Sequence, residues 1–210
     1  MERMPIDFRL YLITDRRFFK DNSSFYNAIE QALAGGVKAV QLREKELSTR
    51  ELLHMACRLR ELTASYDARL FVNDRVDIAL AVKAEGVHLG GTSLPVEAAR
   101  RITGGKLLIG VSTHSIEEAE AAENEGADFI TVGPVYETPS KMKYGNPLGP
   151  GILGELKGKI SVPIFAIGGI RQQRVGEVLG SGAYGIALIS AVLTALDIRS
   201  TTENFMRLLT

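Results

Sequence analysis

The sequence predicts an α/β protein, a single-domain (β/α)8 barrel of the TIM type, on three observations. Eight short apolar runs alternate with amphipathic stretches along the whole chain, the pattern of a parallel sheet covered by helices. Each run is apolar throughout rather than alternating, as strands buried on both faces are. Glycine marks a helix-to-strand junction at Gly35-Gly36-Val37, Glu85-Gly86-Val87, Glu125-Gly126-Ala127 and Ser181-Gly182-Ala183. These junctions precede strands two, four, six and eight, which reads as a repeated two-unit module with left-handed helix caps. Alternation alone leaves an open doubly wound sheet as the alternative; eight units in one domain favour closure.

The strands are expected at Leu10–Thr14, Ala39–Leu42, Leu70–Val72, Gly86–Leu89, Leu107–Val111, Phe129–Val132, Pro163–Ile167 and Gly185–Ile189. The longest amphipathic segment, Ser48–Ala64, opens with Ser48 and Glu51, a capping-box pair in which each side chain satisfies an orphan amide. Ser115 and Glu118 repeat the device before Glu118–Asn124. The 210 residues fit one domain spanning 1–210, short for such a barrel and with little room for insertions. Residues 136–150 mix Pro, Gly, Ser and Lys without an apolar period. A loop of that length in a compact domain is usually functional or disordered; here it is the expected active-site loop.

Composition narrows the partners. Twenty-five basic residues balance 25 acidic ones, which predicts no nucleic-acid face and no membrane-binding face. Cys57 is the only cysteine, so neither an internal disulfide nor a cysteine metal cluster is expected. Met1–Phe8 lacks an apolar signal core, and no stretch is apolar enough to span a bilayer. The expectation is a cytoplasmic protein with small-molecule partners, its oligomeric state open between monomer and homodimer.

Chemistry in such barrels sits at the C-terminal ends of the strands, and polar residues gather there. Thr14-Asp15 follow strand one, Gln41 to Lys45 strand two, and Asn73-Asp74-Arg75 strand three. Gly90-Gly91 follow strand four, Ser112-Thr113-His114 strand five, Gly168-Gly169 strand seven and Ser190 strand eight. Two themes emerge. Gly168-Gly169 and Ile189-Ser190 stand where barrels of this kind hold a phosphate, with Thr138 and Ser140 as hydroxyl donors. The glycines could equally make tight turns only. Arg43 and Lys45, two apart and on one side of an extended segment, form a cationic patch that Lys141 can join from the loop. Asp74 beside them could hold a divalent cation through oxygen. The plainer alternatives are that Arg43 and Lys45 pair with Glu44 and Glu46 in solvent, and that Asp74 caps the next helix. His54 reads as a surface residue and His88 as a structural hydrogen-bonder. His114 is the acid–base candidate, because histidine titrates near neutral pH.

Seven segments, Tyr11-Leu12-Ile13-Thr14-Asp15, Gln41-Leu42-Arg43-Glu44-Lys45, Val72 to Asp77, Gly86-Val87-His88-Leu89-Gly90, Ile109 to Ser112, Gly133 to Thr138 and Ala166 to Ile170, together resemble the thiamine phosphate synthase family. Thiazole tautomerases of the TenI type share the fold and part of the pattern. The resemblance covers nearly the whole chain, in order. It implies coupling of a hydroxymethylpyrimidine pyrophosphate to a thiazole phosphate, with release of pyrophosphate and Mg2+ as cofactor. It further implies that Gln41, Asn73 and Ser112 contact the pyrimidine and its leaving group. Arg43, Lys45 and Lys141 would neutralise the pyrophosphate and Asp74 would bind magnesium. Thr138, Ser140, Gly168, Gly169, Ile189 and Ser190 would hold the thiazole phosphate. One departure stands out. The family usually carries a second magnesium-binding aspartate after strand four, and this chain has Ser93 there, which fits a cap for the following helix. Ser93 and His114 motivate a tautomerase alternative, and a non-catalytic sensor of thiazole or thiamine phosphate is a third.

Overall fold

The computed structural model describes residues 5–138 and 146–210. Eight parallel strands close in sequence order: β1 (Leu10–Ile13), β2 (Ala39–Leu42), β3 (Arg69–Asn73), β4 (Gly86–Leu89), β5 (Leu108–Thr113), β6 (Phe129–Val132), β7 (Ile164–Ile167) and β8 (Gly185–Leu188). Pairing of Leu10 with Ile186 and of Leu12 with Leu188 joins the last strand to the first, so the open sheet is excluded. The outer layer runs α1 (Asn22–Ala34), α2 (Thr49–Ser65), α3 (Val76–Ala81), α4 (Val96–Thr103), α5 (Ile116–Asn124), α6 (Gly151–Lys157), α7 (Val175–Gly180), α8 (Ser190–Leu193) and α9 (Ile198–Leu208). No helix among the described residues is long and apolar enough to cross a membrane.

The strands fall where the apolar runs put them, with one extension that matters. β5 continues two residues beyond the expected Val111 and so carries Ser112 and Thr113 in the ladder, paired with Thr131 and Val132. α2 starts as its capping box requires, with Ser48 and Glu51 bonded reciprocally. The second box is only half formed. Ser115 accepts from the Glu118 amide, but the Glu118 carboxylate turns to the amide and ring of His114 instead. The glycine repeat also needs correction at one site. Gly36, Gly126 and Gly182 have positive φ, whereas Gly86 is the first residue of β4 and the left-handed turn before it is made by Lys83.

Two cores form. Outward-facing strand residues such as Leu12, Val40, Val72 and Ile130 pack under the helices. Inward-facing Phe8, Tyr11, Phe71, Phe129 and Phe165 fill the lower barrel, their rings meeting mostly edge to face at centroid distances of 5.2 to 6.1 Å. Gly86, Gly110 and Gly185 make room for them; a Cβ at Gly110 would strike the Phe129 ring and His88. Phe129 touches four of these rings and His88. Phe129→Ala is therefore expected to lower the unfolding free energy by about 3–5 kcal/mol, measured by urea denaturation followed by circular dichroism.

Candidate active site

Side chains one step above the aromatic layer are polar. Strand alternation sends Gln41, Asn73, His88, Ser112 and Thr131 inward at or near the C-terminal ends of five neighbouring strands. Gln41 Nε2 donates to the Tyr11 hydroxyl at 3.1 Å. That hydroxyl lies 3.4 Å from His88 Nδ1, and His88 Nε2 lies 2.9 Å from Ser112 Oγ. Thr131 Oγ1 completes the chain, 3.5 Å from both. His88 is 2% exposed, and burial drives its pKa down to about 3. Burial likewise pushes the Tyr11 hydroxyl well above its ordinary value. The network is therefore neutral at physiological pH. His88 is the structural hydrogen-bonder the sequence suggests, but Tyr11 and Thr131 escape a reading focused on strand ends, although their inward parity was the available signal.

Above this layer stands Asp74. Its backbone is left-handed, φ 61°, a conformation that aspartate tolerates better than most residues. Its amide donates to the His88 carbonyl at 2.9 Å. One carboxylate oxygen accepts from the Asn73 amide at 2.7 Å and faces Lys45 Nζ at 3.4 Å. The other accepts from the Ser93 hydroxyl. Ser93 Oγ in turn accepts from the Gly90 amide at 2.7 Å. Neither capping alternative survives: α3 and α4 have Arg75 and Pro95 at their N-caps, without side-chain capping bonds. Residue 93 is thus turned onto Asp74, where an aspartate would bring a second carboxylate beside the first.

The solvent-pairing alternative fails too. Glu44 is 4% exposed and turned inward, accepting from Thr14 Oγ1 at 2.5 Å and from the Arg16 amide at 3.0 Å. Burial raises its pKa. Thr14 Oγ1 then accepts from the Arg43 amide at 3.0 Å, so Glu44 fixes the backbone from which Arg43 projects. Lys45 reaches Asp74 because the chain turns at residues 45–46, not because strand alternation continues. Arg43 is half-buried and, among the described residues, makes no ion pair of its own. Its charge is felt at His88, whose pKa it lowers, and at Asp15. His114 stands at the rim after β5 but is half-exposed, its Nδ1 held 3.1 Å from Glu118.

A second zone lies across the rim. Gly168 and Gly169, with φ of 98° and 65°, fold tightly under the segment after β6. A Cβ on Gly169 would lie 2.6 Å from the Glu137 carbonyl oxygen. Thr138, Gly169 and Ser190 line one cleft of about 630 Å³, whose outer wall includes Arg171 and Arg174. Ile189 is the N-cap of α8. Arg174 was not expected from the sequence. Its guanidinium stacks 4.2 Å from the Tyr136 ring centre and donates to the Gly169 carbonyl at 2.6 Å. The Tyr136 hydroxyl donates to Glu177 at 2.6 Å. Ser140 and Lys141 lie outside the described residues, as does the middle of the predicted loop.

A family model described as thiamine monophosphate synthase matches residues 10–192. The chain belongs to the thiamine monophosphate synthase family. A thiamine-phosphate synthase of Halalkalibacterium halodurans is 45% identical over 97% of this chain and 96% of that protein. One from Clostridium novyi is 42% identical over 96% and 98%. Among solved structures, a thiamine phosphate pyrophosphorylase from Pyrococcus furiosus superposes with a TM-score of 0.87 at 42% identity, over 96% of this chain and 95% of that one. A 3-hexulose-6-phosphate synthase at 18% identity and TM-score 0.76 shares the fold alone.

The Arg174 contact generates a test. The guanidinium holds the Gly168–Gly169 turn through a charge-assisted bond to a backbone carbonyl. Arg174→Ala is expected to lower the unfolding free energy by about 1.5–3 kcal/mol, measured by urea denaturation, with Arg174→Lys intermediate.

Proposed function

We propose that this member of the family is a thiamine-phosphate synthase that joins 4-amino-5-hydroxymethyl-2-methylpyrimidine pyrophosphate to thiazole phosphate, giving thiamine phosphate and pyrophosphate. The observation that carries the reading is the grouping of Lys45, Asn73 and Ser93 around the Asp74 carboxylate, apart from the glycine turn that lines the other cleft. One site thus offers two separate places for anionic groups, as a reaction between two phosphorylated substrates requires.

Each residue then has a task. Thr138, Gly169 and Ser190, with Gly168 and Ile189 shaping the turns, hold the thiazole phosphate and aim its ring nitrogen inward. Gln41, Asn73 and Ser112 orient the pyrimidine. Arg43 and Lys45 take up negative charge as the carbon–oxygen bond breaks and its electron pair leaves on pyrophosphate. The thiazole nitrogen supplies the pair for the new carbon–nitrogen bond. No proton must move and no protein nucleophile is needed, so holding both partners in line supplies much of the remaining rate.

The donor set suits magnesium. This ion takes oxygen ligands and is commonly held by one or two carboxylates plus substrate phosphates. Asp74 would supply the carboxylate, and Ser93 and Asn73 would supply neutral polar atoms beside it. When bound, the ion would neutralise pyrophosphate oxygens. Ser93 leaves this centre one carboxylate short of the usual family pair, while Lys45 already stands beside Asp74. The tautomerase alternative is the weaker reading, because relatives at 42–45% identity over nearly the whole chain are named thiamine-phosphate synthase.

The deciding experiment supplies purified protein with both precursors and titrates Mg2+; formation of thiamine phosphate is expected, and none at saturating metal would reject the reading. Asp74→Asn is expected to cut metal-dependent turnover by roughly a hundredfold, the loss of a charged partner, while leaving affinity for thiazole phosphate within about twofold. Ser93→Asp is expected to lower the half-saturating Mg2+ concentration about tenfold, because a second carboxylate raises the charge on the cation site. Manganese binding followed by electron paramagnetic resonance reads the same shift without turnover.

A further inference from the structure

We propose that Tyr11 and His88 are positioning residues that set the hydrogen-bonding polarity of the pyrimidine pocket, making Gln41 an acceptor and Ser112 a donor toward the ligand. The inference rests on the synthase reading for what the ligand is, but the polarity follows from the buried network itself.

The chain of bonds has only one consistent direction. Gln41 commits its Nε2 to the Tyr11 hydroxyl at 3.1 Å, which leaves its Oε1 for a ligand. Tyr11 is fully buried, and its oxygen already accepts from Gln41, so its own proton goes to His88 Nδ1, 3.4 Å away. A histidine that accepts at Nδ1 carries its proton on Nε2. Nε2–H then donates to Ser112 Oγ at 2.9 Å. Thr131 Oγ1 donates to the same oxygen at 3.5 Å. Both lone pairs of Ser112 are then occupied, and its proton is the group left to point out of the network. Ser112 is half-buried at the C-terminal end of β5, whereas Tyr11 and His88 lie beneath it. Ser112 is therefore the end open to a ligand, and Gln41, 1% exposed, meets one only at the floor of the pocket.

The polarity matches a ligand with an amino group toward β2 and an acceptor, a ring nitrogen or a pyrophosphate oxygen, toward β5. The reverse ligand would leave a buried donor facing a donor, which is costly. Tyr11 and His88 touch no substrate; they decide which atom each reading group shows.

The test has two arms. In protein labelled with 15N at histidine, the His88 imidazole shifts should report a neutral ring with Nδ1 bare and Nε2 protonated, and Tyr11→Phe should shift the Nδ1 resonance. The opposite tautomer in the wild-type protein would overturn the proposal whatever the enzyme does. In kinetics, Tyr11→Phe and Ser112→Ala should each lower kcat/KM for the pyrimidine pyrophosphate about fivefold to tenfold and leave KM for thiazole phosphate unchanged. The double variant should fall well short of the product of the two single losses, because the part of Tyr11's effect that runs through His88 is already lost with Ser112. Fully multiplicative losses would assign Tyr11 a merely structural role and overturn the relay. A wild-type protein that makes no thiamine phosphate would reject the synthase reading alone, with the nitrogen shifts still deciding the relay.

Discussion

Edge-to-face packing of Phe8, Tyr11, Phe71, Phe129 and Phe165 inside the barrel sets the height at which polarity can begin. Below that layer Gly86, Leu108 and Gly185 face inward, and the polar side chains at the barrel foot, Arg69 and Tyr184, bond to Asp7 and to the Pro5 and Ile6 carbonyls of the segment before β1. Above it, Gln41, His88, Ser112 and Thr131 bond to one another and to the one hydroxyl the ring layer offers, that of Tyr11. No buried side-chain nitrogen or oxygen among the described residues lacks a partner. The floor of the site is therefore rigid, neutral and already hydrogen-bonded.

On that neutral floor, charge is confined to the rim. Glu44 lies buried beneath Arg43 and braces its backbone through Thr14. Lys45 crosses from the end of β2 to the Asp74 carboxylate after β3. The glycine turn after β7 relies on backbone geometry rather than on fixed charge. Arg174, which reaches it, is tied to a carbonyl and stacked on a ring. The two zones differ in kind, one built from paired side chains and the other from a shaped main chain.

Much of this was legible in the sequence, and for physical reasons. Strands buried on both faces must be apolar, so Ala39–Leu42, Gly86–Leu89 and Phe129–Val132 declared themselves to the residue. Asp74 and Lys45 could be assigned to one rim because strand ends in a parallel barrel all point the same way. What could not be read was direction after the strand ends. Glu44 turns inward while Lys45 turns across, and Ser93 faces Asp74 rather than its own helix. Each outcome depends on a local turn or a left-handed residue whose partner lies on another strand. The half-formed box at Ser115 failed for a related reason: Glu118 had two acceptable partners, and His114 took it.

The contact among Tyr136, Arg174 and Glu177 has an evolutionary consequence. Tyr136 leads into the loop after β6, and Arg174 and Glu177 belong to the turn and helix after β7. Arg174 stacks on the tyrosine ring, and Glu177 accepts a hydrogen bond from its hydroxyl. Losing the ring ends both contacts at once, although Arg174 keeps its bond to the Gly169 carbonyl; losing either partner leaves the other contact intact. Position 136 should therefore drift slowly among relatives that keep the arginine. Positions 174 and 177 each share one contact with it, so the segments after β6 and β7 are expected to vary together.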